Sequence, residues 1–560
     1  MPGSGALYKK HAFRLVILGL LAPLLALAQP SDDPPSPIRQ ALQTLTSSCE
    51  GPLAEIDQTA VQPLEALYRR HRFEALWTSY AQLDKLLGQL DALVDDGLNP
   101  AIYHPEAIRR AMQTATSEPL HRECSDILAT HAYLLALQHL SHGRLPQDRL
   151  EPVWRSPDAA APQQDDPLLE IADNGLTDLE GAFDRARPTL EQYHNLRQAH
   201  ARLRAEPPRQ WLSIPAGPTL RPGMSDPRVP LLRQRLASDG YLPAAVPPTD
   251  SEMRYSASIE QALKAFQRLH GLQDDGVLGK DTRTALNVAP TDRLNQLKIN
   301  LERFRWLSSD IEARSLLVDI AGGRVIFFNG NRPQWETRSQ VGRDTRQTPA
   351  IKSNVTRLTL NPTWTVPPTI LREDKLPTIR ENPDYLASHN MQVLDYQGKV
   401  LDPAQVDWSN PGRIMLRQAA GPDNPLGRLV IRFANPFAIY LHDTPSQGLF
   451  ERSQRTFSSG CVRVESVMQL VDLLLTEGEQ ERFERLLATG QTHEFGLAKP
   501  TPILLAYWTA EADSSGQAHY RPDVYGRDPA LLAALQAADR GRLLEGSPDG
   551  AARHAPASGE

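Results

Sequence analysis

A cysteine and a histidine in the last quarter of the chain have the types needed for acyl transfer. Cys461 follows Ser458, Ser459 and Gly460, and His442 ends an apolar segment upstream of them. A thiolate is the attacking form of cysteine, and an imidazole within hydrogen-bond reach can activate the thiol and later protonate a leaving amine. The two residues are therefore a candidate nucleophile and a candidate general base and acid.

The residues around Cys461 favour this chemistry. Apolar periodicity downstream predicts a helix that begins near Val462, and the positive end of a helix dipole stabilises a thiolate. Arg463 adds a positive charge, and Gly460 leaves room for a substrate carbonyl beside the backbone. We expect the backbone N–H groups of Gly460 and Cys461 to face a developing oxyanion.

Residue type and spacing alone leave other interpretations open. A lone cysteine at a helix start can be a small buried hydrophobic residue, and a histidine at a strand end can be an ordinary surface or core residue. A zinc site is disfavoured because Cys461 and His442 have no Cys or His neighbours that could complete a ligand set.

The elements that must position this pair are mostly strands. Period-two segments at 315–321 and 324–329 flank Gly322-Gly323, which predicts a hairpin with a two-residue loop. Further strands are predicted at 428–433, 438–442 and 502–509. Residues 361–427 are rich in Pro, Asn and Asp and lack a strand rhythm, so we expect an insertion that stands over the sheet as a lid.

The rest of the chain is predominantly helical in pattern. Residues 38–207 alternate helical runs with breaks, and 221–288 predict a separate module of three short helices. An amphipathic helix at 294–307 connects this module to the strands. An Ala/Leu helix after about residue 530 leads into a Gly/Ser/Pro tail for which no order is expected.

The amino terminus and the composition limit the compartment and the partners. A basic start, the apolar run 15–28 and an A-x-A site predict a secretory signal peptide; an uncleaved membrane anchor is the alternative.

With 60 basic and 67 acidic side chains, the net charge of −7 argues against a nucleic-acid binder. Of the three cysteines, Cys49 and Cys124 are expected to pair in an oxidising compartment, which leaves Cys461 as the odd thiol.

Two motifs resemble known families. The segment FQRLHGLQDDGVLGKDTRTAL, residues 266–286, resembles the peptidoglycan-binding domain type 1 family. The pattern of His442, a loop, Ser458-Ser459-Gly460-Cys461, an apolar residue and Arg463 resembles the L,D-transpeptidase (YkuD) catalytic domain. Segments such as NLERFRWL, NPTWTVPPTI, GPDNPLGRLVIRF and YRPDVYGRD are similar to the large multi-domain branch of that family.

This resemblance implies a role for each site residue. Cys461 would be the nucleophile, His442 the general base and acid, and Gly460 an oxyanion donor through its backbone N–H. The implied substrate-binding residues are Arg463, Tyr440, Ser459 and Trp364; the commoner family motif has His at the position of Ser459. Asp443 is expected to be a structural loop residue, with a backbone carbonyl orienting His442 instead. No cofactor and no metal are expected.

The resemblance also implies a multi-domain α+β fold with a mainly β catalytic domain. The expected division is a signal peptide at 1–28, a disordered leader at 29–37, a helical scaffold domain at 38–215, a three-helix peptidoglycan-binding domain at 216–290, a connecting helix at 291–312, a catalytic domain at 313–530 with its lid at about 361–427, and a terminal helix and tail at 531–560.

The activity implied is that of an exported, periplasmic enzyme which cross-links peptidoglycan stem peptides. Its thiol would form a thioester with release of D-Ala, and an amine of a second stem would complete a 3→3 cross-link. A lipoprotein lysine, a free D-amino acid or water are alternative acceptors. An L,D-carboxypeptidase with the same site and a wall-binding scaffold without catalysis are the alternative functions. Acylation of the thiol by carbapenems is a further implication, and the peptidoglycan strands are the expected partner.

Overall fold

A computed structural model describes residues 36–49, 51–56, 58–114, 119–159, 167–207, 211–243, 253–330, 332–382 and 384–540. The predicted signal peptide, most of the predicted leader and the tail after residue 540 lie outside these residues. None of the described helices is both long and apolar enough to cross a membrane. The expected multi-domain α+β fold is confirmed.

The amino-terminal region is helical because its leucines and aromatic residues recur at helical spacing and bury one face of each helix. The helices are α1 (Pro37–Gln43), α2 (Leu45–Ser48), α3 (Gln58–Arg70), α4 (Tyr80–Ala92), α5 (Pro105–Thr114), α6 (Pro119–His142), α7 (Gln147–Leu150), α8 (Leu168–Gly175), α9 (Leu179–Ala186) and α10 (Glu191–Ala205). A disulfide joins Cys49 to Cys124 on α6, which confirms the expected pairing, and Cys461 is a free thiol.

In its described residues, 216–243 and 253–290, the next module contains three short α-helices, as the periodicity predicts. They are α11 (Val229–Ser238), α12 (Ala257–Leu269) and α13 (Lys280–Leu286). The Ser256 side chain accepts the N–H of Ile259 and caps α12, and Gly271, with φ of 61°, supplies the left-handed turn that ends it. The three helices share a core that includes Leu232, Leu263 and Phe266.

The connecting helix α14 (Pro290–Leu307) carries charges into the interior. Arg303 and Arg305 are buried, and each faces carboxylates that neutralise it. Arg303 donates to Glu151 at 2.6 Å and to Asp528 at 2.7 Å, and Arg305 donates to Glu302 at 2.6 Å. Glu151 precedes α14 in the sequence, whereas Asp528 follows the last strand. Arg303 therefore ties the helical region to the segment after the strands.

The strand-rich region follows α14. Its strands are β2 (Arg314–Asp319), β3 (Arg324–Asn329), β4 (Pro333–Gly342), β5 (Ile351–Leu360), β6 (Trp364–Thr365), β7 (Met391–Asp395), β8 (Val400–Leu401), β9 (Ile414–Gln418), β10 (Leu429–Phe433), β11 (Leu441–His442), β12 (Thr456–Ser458), β13 (Val462–Val464), β14 (His493–Ala506), β15 (Ala510–Ala512) and β16 (Ala518–Tyr520), and β1 (Trp154–Arg155) precedes them in the helical region. Its helices are α15 (Pro368–Ile370), α16 (Leu376–Glu381), α17 (Tyr385–Ser388), α18 (Val467–Leu474), α19 (Gln480–Leu487) and α20 (Asp528–Asp539).

The main sheet closes on itself. Its order is β5-β10-β11-β13-β4-β3-β2-β14, and β14 pairs with both β2 and β5, so the strands form a barrel. The interior holds alternate apolar side chains of these strands, such as Leu316, Val318 and Ile431, together with α18. The opposite side chains of β2 and β3 pack on α14 and α20. β1 from the helical region adds to the edge of β5 in parallel.

The predicted lid has more regular structure than its composition indicates. The strands β6, β9, β7 and β8 form a small sheet with its own core, which the sequence of this segment did not reveal. These strands are two to five residues long, too short to show a clear alternation. The segment nevertheless stands apart from the barrel sheet, as expected.

Two local predictions are also corrected. The helix predicted to begin near Val462 begins at Val467, because Val462–Val464 is a strand that pairs with β11 and β4. The predicted hairpin is present, but Asp319 pairs with Arg324, so its loop runs from Ile320 to Gly323 and is longer than two residues.

Candidate active site

Two adjacent parallel strands bring the predicted pair together. Leu441 of β11 pairs with Val462 of β13, and His442 pairs with Arg463. Cys461 directly precedes β13, and the carbonyl of Tyr440 accepts the N–H of Val462 at 3.1 Å. Side chains alternate along a strand, so Tyr440, His442, Cys461 and Arg463 share one face.

An asparagine braces the loop that leads into β11. The side-chain oxygen of Asn435 accepts the N–H groups of Phe437 and Ile439, and its amide donates to the carbonyls of Phe433 and Ile439. Within this loop Ala438 has a φ of 54°, a conformation that is uncommon for a residue with a side chain. The carbonyl oxygen of Ala438 lies 3.7 Å from Cys461 Sγ, so the brace fixes the surroundings of the sulfur.

Serine and glycine fix the turn that carries the cysteine. Ser458 Oγ donates to the carbonyl of Cys461 at 2.5 Å and accepts the N–H of Gly460 at 3.1 Å. Gly460 has a φ of 113°, which favours glycine, and its carbonyl accepts from Thr348 Oγ1 at 2.8 Å. The expectation that the Gly460 N–H faces an oxyanion is wrong for this arrangement, because that N–H is bonded to Ser458.

His442 is held as the neutral tautomer that a general base requires. Its Nδ1 lies 2.5 Å from the carbonyl oxygen of Asp443, and a carbonyl can only accept, so Nδ1 carries the proton and Nε2 is left as the basic atom. The Asp443 carboxylate instead accepts the N–H of Arg428 at 2.9 Å. Both expectations, that a backbone carbonyl orients His442 and that Asp443 is a structural loop residue, are confirmed.

The surroundings of the pair favour the uncharged form of both side chains. His442 is only 4% exposed, and burial, followed by the charge of Arg463, lowers its pKa to about 3. Burial raises the pKa of the Cys461 thiol, although a hydrogen bond from Tyr440 and the charge of Arg463 oppose that shift. The expected helix start at Cys461 is wrong because the helix begins at Val467, and burial shifts both groups toward their neutral forms.

The pair opens into one cavity of about 350 Å³ between the barrel and the lid. The lid contributes Trp364, Pro367, Thr369 and Ile370, and the barrel contributes Phe437, Tyr440, His442, Ser459, Cys461 and Arg463. The structure therefore brings together all the predicted site residues except Gly460, which lies in the same turn but is not part of the lining. Trp364 is buried in the lid core and also faces the cavity.

Arg346 is a cavity residue that sequence reasoning missed. It donates to Ser459 Oγ at 2.9 Å and to the carboxylate of Asp374 in the lid at 2.7 Å. A second lid carboxylate, Glu373, accepts from it at 2.5 Å. These contacts join segments that are far apart in the sequence. The charged residues around Arg346 were the local feature that could have pointed to it.

Arg463 lies in the cavity with few protein partners. Its Nη1 donates to Gln340 at 3.1 Å, and among the described residues its buried Nε has no hydrogen-bond partner. Across the described ranges, no group of three His, Cys, Asp or Glu residues is placed to hold a metal ion. The polar groups that remain suit acid–base and nucleophilic chemistry at a carbonyl.

Comparison with known proteins fits this geometry. Residues 313–503 match the family model described as the L,D-transpeptidase catalytic domain. The barrel and its lid are therefore similar to L,D-transpeptidase catalytic domains. Residues 225–286 match a model described as "Putative peptidoglycan binding domain", and residues 62–199 match a model described as a scaffold domain. The family resemblance of the sequence motifs is confirmed.

One curated relative and two solved structures are similar to parts of the chain. A Haemophilus influenzae protein described as "Putative L,D-transpeptidase" is 34% identical over 311 residues, which cover 53% of this chain and 62% of the relative. A structure titled as the Ldtfm-avibactam carbamoyl enzyme is 14% identical, covers 35% of this chain and 49% of its own, and has a TM-score of 0.18. An L,D-transpeptidase from Xylanimonas cellulosilytica is 17% identical, covers 52% and 99%, and has a TM-score of 0.17. At these TM-scores the two structures add nothing to the assignment.

Proposed function

We propose that this protein is an exported cysteine L,D-transpeptidase that forms 3→3 cross-links between peptidoglycan stem peptides. The observation that carries the proposal is the shared face of β11 and β13, on which His442 and Cys461 line one cavity beneath the lid. The catalytic-domain match supports the reaction class. The peptidoglycan-binding match supports a site of action at the cell wall, outside the cytoplasm.

The first step forms a thioester. Nε2 of His442 takes the thiol proton while Cys461 Sγ attacks the carbonyl of the L,D bond before the terminal D-Ala. The backbone N–H of Cys461 is the proposed donor to the oxyanion. The carbon–nitrogen bond then breaks, D-Ala leaves with the proton returned by His442, and the acyl group stays on sulfur.

The second step transfers the acyl group. A side-chain amine of a second stem attacks the thioester, and His442 takes a proton from the attacking nitrogen. The carbon–sulfur bond breaks, the proton returns to the sulfur, and an amide joins the two stems. A neutral resting His442 suits both steps because it begins each of them as a proton acceptor.

The remaining cavity residues are proposed to hold the substrate. The underpaired guanidinium of Arg463 suits a stem carboxylate. Tyr440, whose hydroxyl bonds to the thiol, adjusts sulfur reactivity, and Trp364 covers the stem from the lid. Ser459 is proposed to contact the substrate, and the hydrogen bond from Arg346 holds its side chain in place.

The chain division is proposed as 38–215, 216–290, 291–312 and 313–530, with the lid at about 361–427. Separate hydrophobic cores in the helical region, the three-helix module, the barrel and the lid support it. The three-helix module is proposed to hold glycan strands. The segment 1–28 is proposed to direct export to the periplasm.

The test is product analysis with disaccharide tetrapeptides. The proposal predicts cross-linked dimers and free D-Ala from the wild-type chain and neither from Cys461→Ala. Tripeptides without dimers would show a carboxypeptidase, and binding to cell-wall sacculi without any product would show a non-catalytic scaffold. Removal of 221–288 should weaken retention on sacculi; full retention would refute the role of that module.

A further inference from the structure

A second cavity lies on the outer face of the barrel, where β2 and β3 meet α10 and α14. Its volume is about 350 Å³, within the range of roughly 300–1,000 Å³ that small-molecule sites occupy. Its apolar wall includes Phe304, Ile326, Phe328 and Trp508. Its described lining shares no residue with that of the catalytic cavity. We call it the outer cavity.

Two side chains that line the outer cavity carry a buried polar atom without a partner. They are Trp508, whose indole Nε1 can only donate, and Gln192 on α10, whose Oε1 can only accept. Neither atom has a hydrogen-bond partner among the described residues. Trp508 is only 4% exposed, so its donor is withdrawn from bulk water. Because an unpaired buried polar atom costs free energy, a ligand that supplies partners to both atoms is favoured.

The carboxylates of the described lining all have partners already. The contacts are those of Asp319, Glu336 and Glu511 with Arg324, of Glu191 with Arg332 and of Asp513 with Ser515. Five carboxylates accompany one arginine in this lining, so an anionic ligand is repelled. Because none of these carboxylates lacks a partner, none is left over to select a cation. A neutral ligand is therefore favoured.

A sugar ring combines the properties that this lining requires. Its C–H groups pack against aromatic and aliphatic side chains such as Phe304 and Ile326, and its hydroxyl and N-acetyl groups form the hydrogen bonds. A hydroxyl both donates and accepts, so one sugar can serve the Trp508 donor and the Gln192 acceptor. Pro333 and Glu336 in the lining are exposed, so the outer cavity is open to solvent at β4.

We propose that the outer cavity binds a neutral N-acetylated sugar of a peptidoglycan glycan strand. The preference for a neutral sugar rests on the lining of the cavity, whereas the glycan strand as its source rests on the proposed function. The site gives the strand a contact on the barrel itself, in addition to the one proposed for the three-helix module. It holds the glycan and takes no part in the chemistry at Cys461.

The experiment follows the indole N–H resonances of the full chain by NMR during titration with N,N′-diacetylchitobiose, a neutral dimer of N-acetylglucosamine. The Trp508 resonance is identified by its loss in Trp508→Phe. We expect this resonance to shift to saturation, with a Kd that does not depend on salt concentration because the ligand is neutral.

Gln192→Met removes the acceptor with little change of volume and should raise the Kd about 2- to 10-fold. The matched controls are Gln480→Met on α19 and Trp408→Phe in the lid, both outside the outer cavity, and they should leave the Kd unchanged. Where Trp508→Phe does not fold, the resonance is identified as the one that shifts in wild type and requires more sugar to shift in Gln192→Met.

Two further ligands test the class of occupant. The deacetylated dimer, which carries ammonium groups, should bind no more tightly than the neutral dimer, and a stem tetrapeptide without sugar should leave the Trp508 resonance in place. Tighter binding of the ammonium dimer assigns the outer cavity to cations, and a shift with the tetrapeptide assigns it to peptide; either result overturns the proposal.

An unmoved Trp508 resonance, or equal Kd values for Gln192→Met and wild type, shows that water alone fills the outer cavity and also overturns it. Thioester formation on Cys461 is measured separately in the same chain. A thioester without a shift at Trp508 overturns this inference alone, and a shift at Trp508 without a thioester overturns the proposed function alone.

Discussion

Arg303 and Arg305 of α14 and His442 of the catalytic cavity are buried and Cys461 is half-buried, yet the charged surroundings of the two regions differ. Arg303 contacts Glu151 and Asp528, and these carboxylates raise its pKa despite burial. In the cavity, no carboxylate of the described residues is in the lining around Cys461 and His442, and burial moves both groups toward their neutral forms. Paired charge makes α14 a rigid support, whereas unpaired titratable groups leave the cavity ready to move a proton.

Replacement of His442 should give the largest effect. His442→Gln keeps a polar side chain but removes the base, so the acylation rate should fall by about 10²- to 10⁴-fold. The rate is measured by release of D-Ala, with His519→Gln, outside the cavity, as the control. An acylation rate within about twofold of wild type would remove His442 from the mechanism, provided that the melting temperature shows a folded chain.

Replacement of Arg303 tests the other side of the comparison. Arg303→Met leaves the half-buried Glu151 and Asp528 without their cation, so the free energy of unfolding should drop by about 3–5 kcal/mol. Arg485→Met breaks an exposed pair with Glu481 and should change it by less than about 1 kcal/mol. Equal changes in urea unfolding would contradict the view that pairing in α14 is structural.

Removal of the disulfide should act on the helical region. Cys49→Ser/Cys124→Ser frees a loop of 75 residues, so that region should lose about 2–5 kcal/mol of stability. Hydrogen exchange should show faster exchange in α3 and α6, with the barrel unchanged. Faster exchange across the barrel strands would show that the two regions unfold together.

Replacement of Tyr440 should give the smallest effect. Burial raises the pKa of the Cys461 thiol, so the rate of its alkylation should continue to rise with pH above about pH 9. Tyr440→Phe removes the hydrogen bond from the tyrosine hydroxyl, which lowers that pKa. The curve should move to higher pH, and the rate at pH 8 should fall about 2- to 10-fold. A plateau near neutral pH in wild type would indicate a thiolate stabilised as at a helix start.

The sequence predicts β2, β3 and β10 and the helices of the three-helix module because their periodicity is strong, but it missed β4 and β5 of the barrel and placed β14 only in part. The segment 324–329 is β3 as predicted, and the face of Ile259, Leu263 and Phe266 forms the module core. The helix at Val462 was wrong because Val462 and Val464 belong to a strand pattern that merges with the helical pattern from Val467 onward. Pairing with β11 and β4, which the sequence does not display, decides the structure there.

The candidate site divides in the same way. Cys461, His442, Tyr440 and Arg463 could be named because they lie in two short segments with typical spacing. The contact of Arg346 with Ser459 and Asp374 depends on three distant segments, so only the folded chain reveals it. The neutral state of the pair also depends on burial, which residue spacing does not specify.

The role of Cys461 as nucleophile is tested most directly by the intact mass of the chain after brief exposure to tetrapeptide substrate. We predict a single acyl adduct that lacks the terminal D-Ala, maps to the peptide containing Cys461 and disappears with hydroxylamine. A turned-over substrate with no adduct on Cys461, or an adduct that persists in Cys461→Ala, would contradict the assignment of this sulfur as the nucleophile.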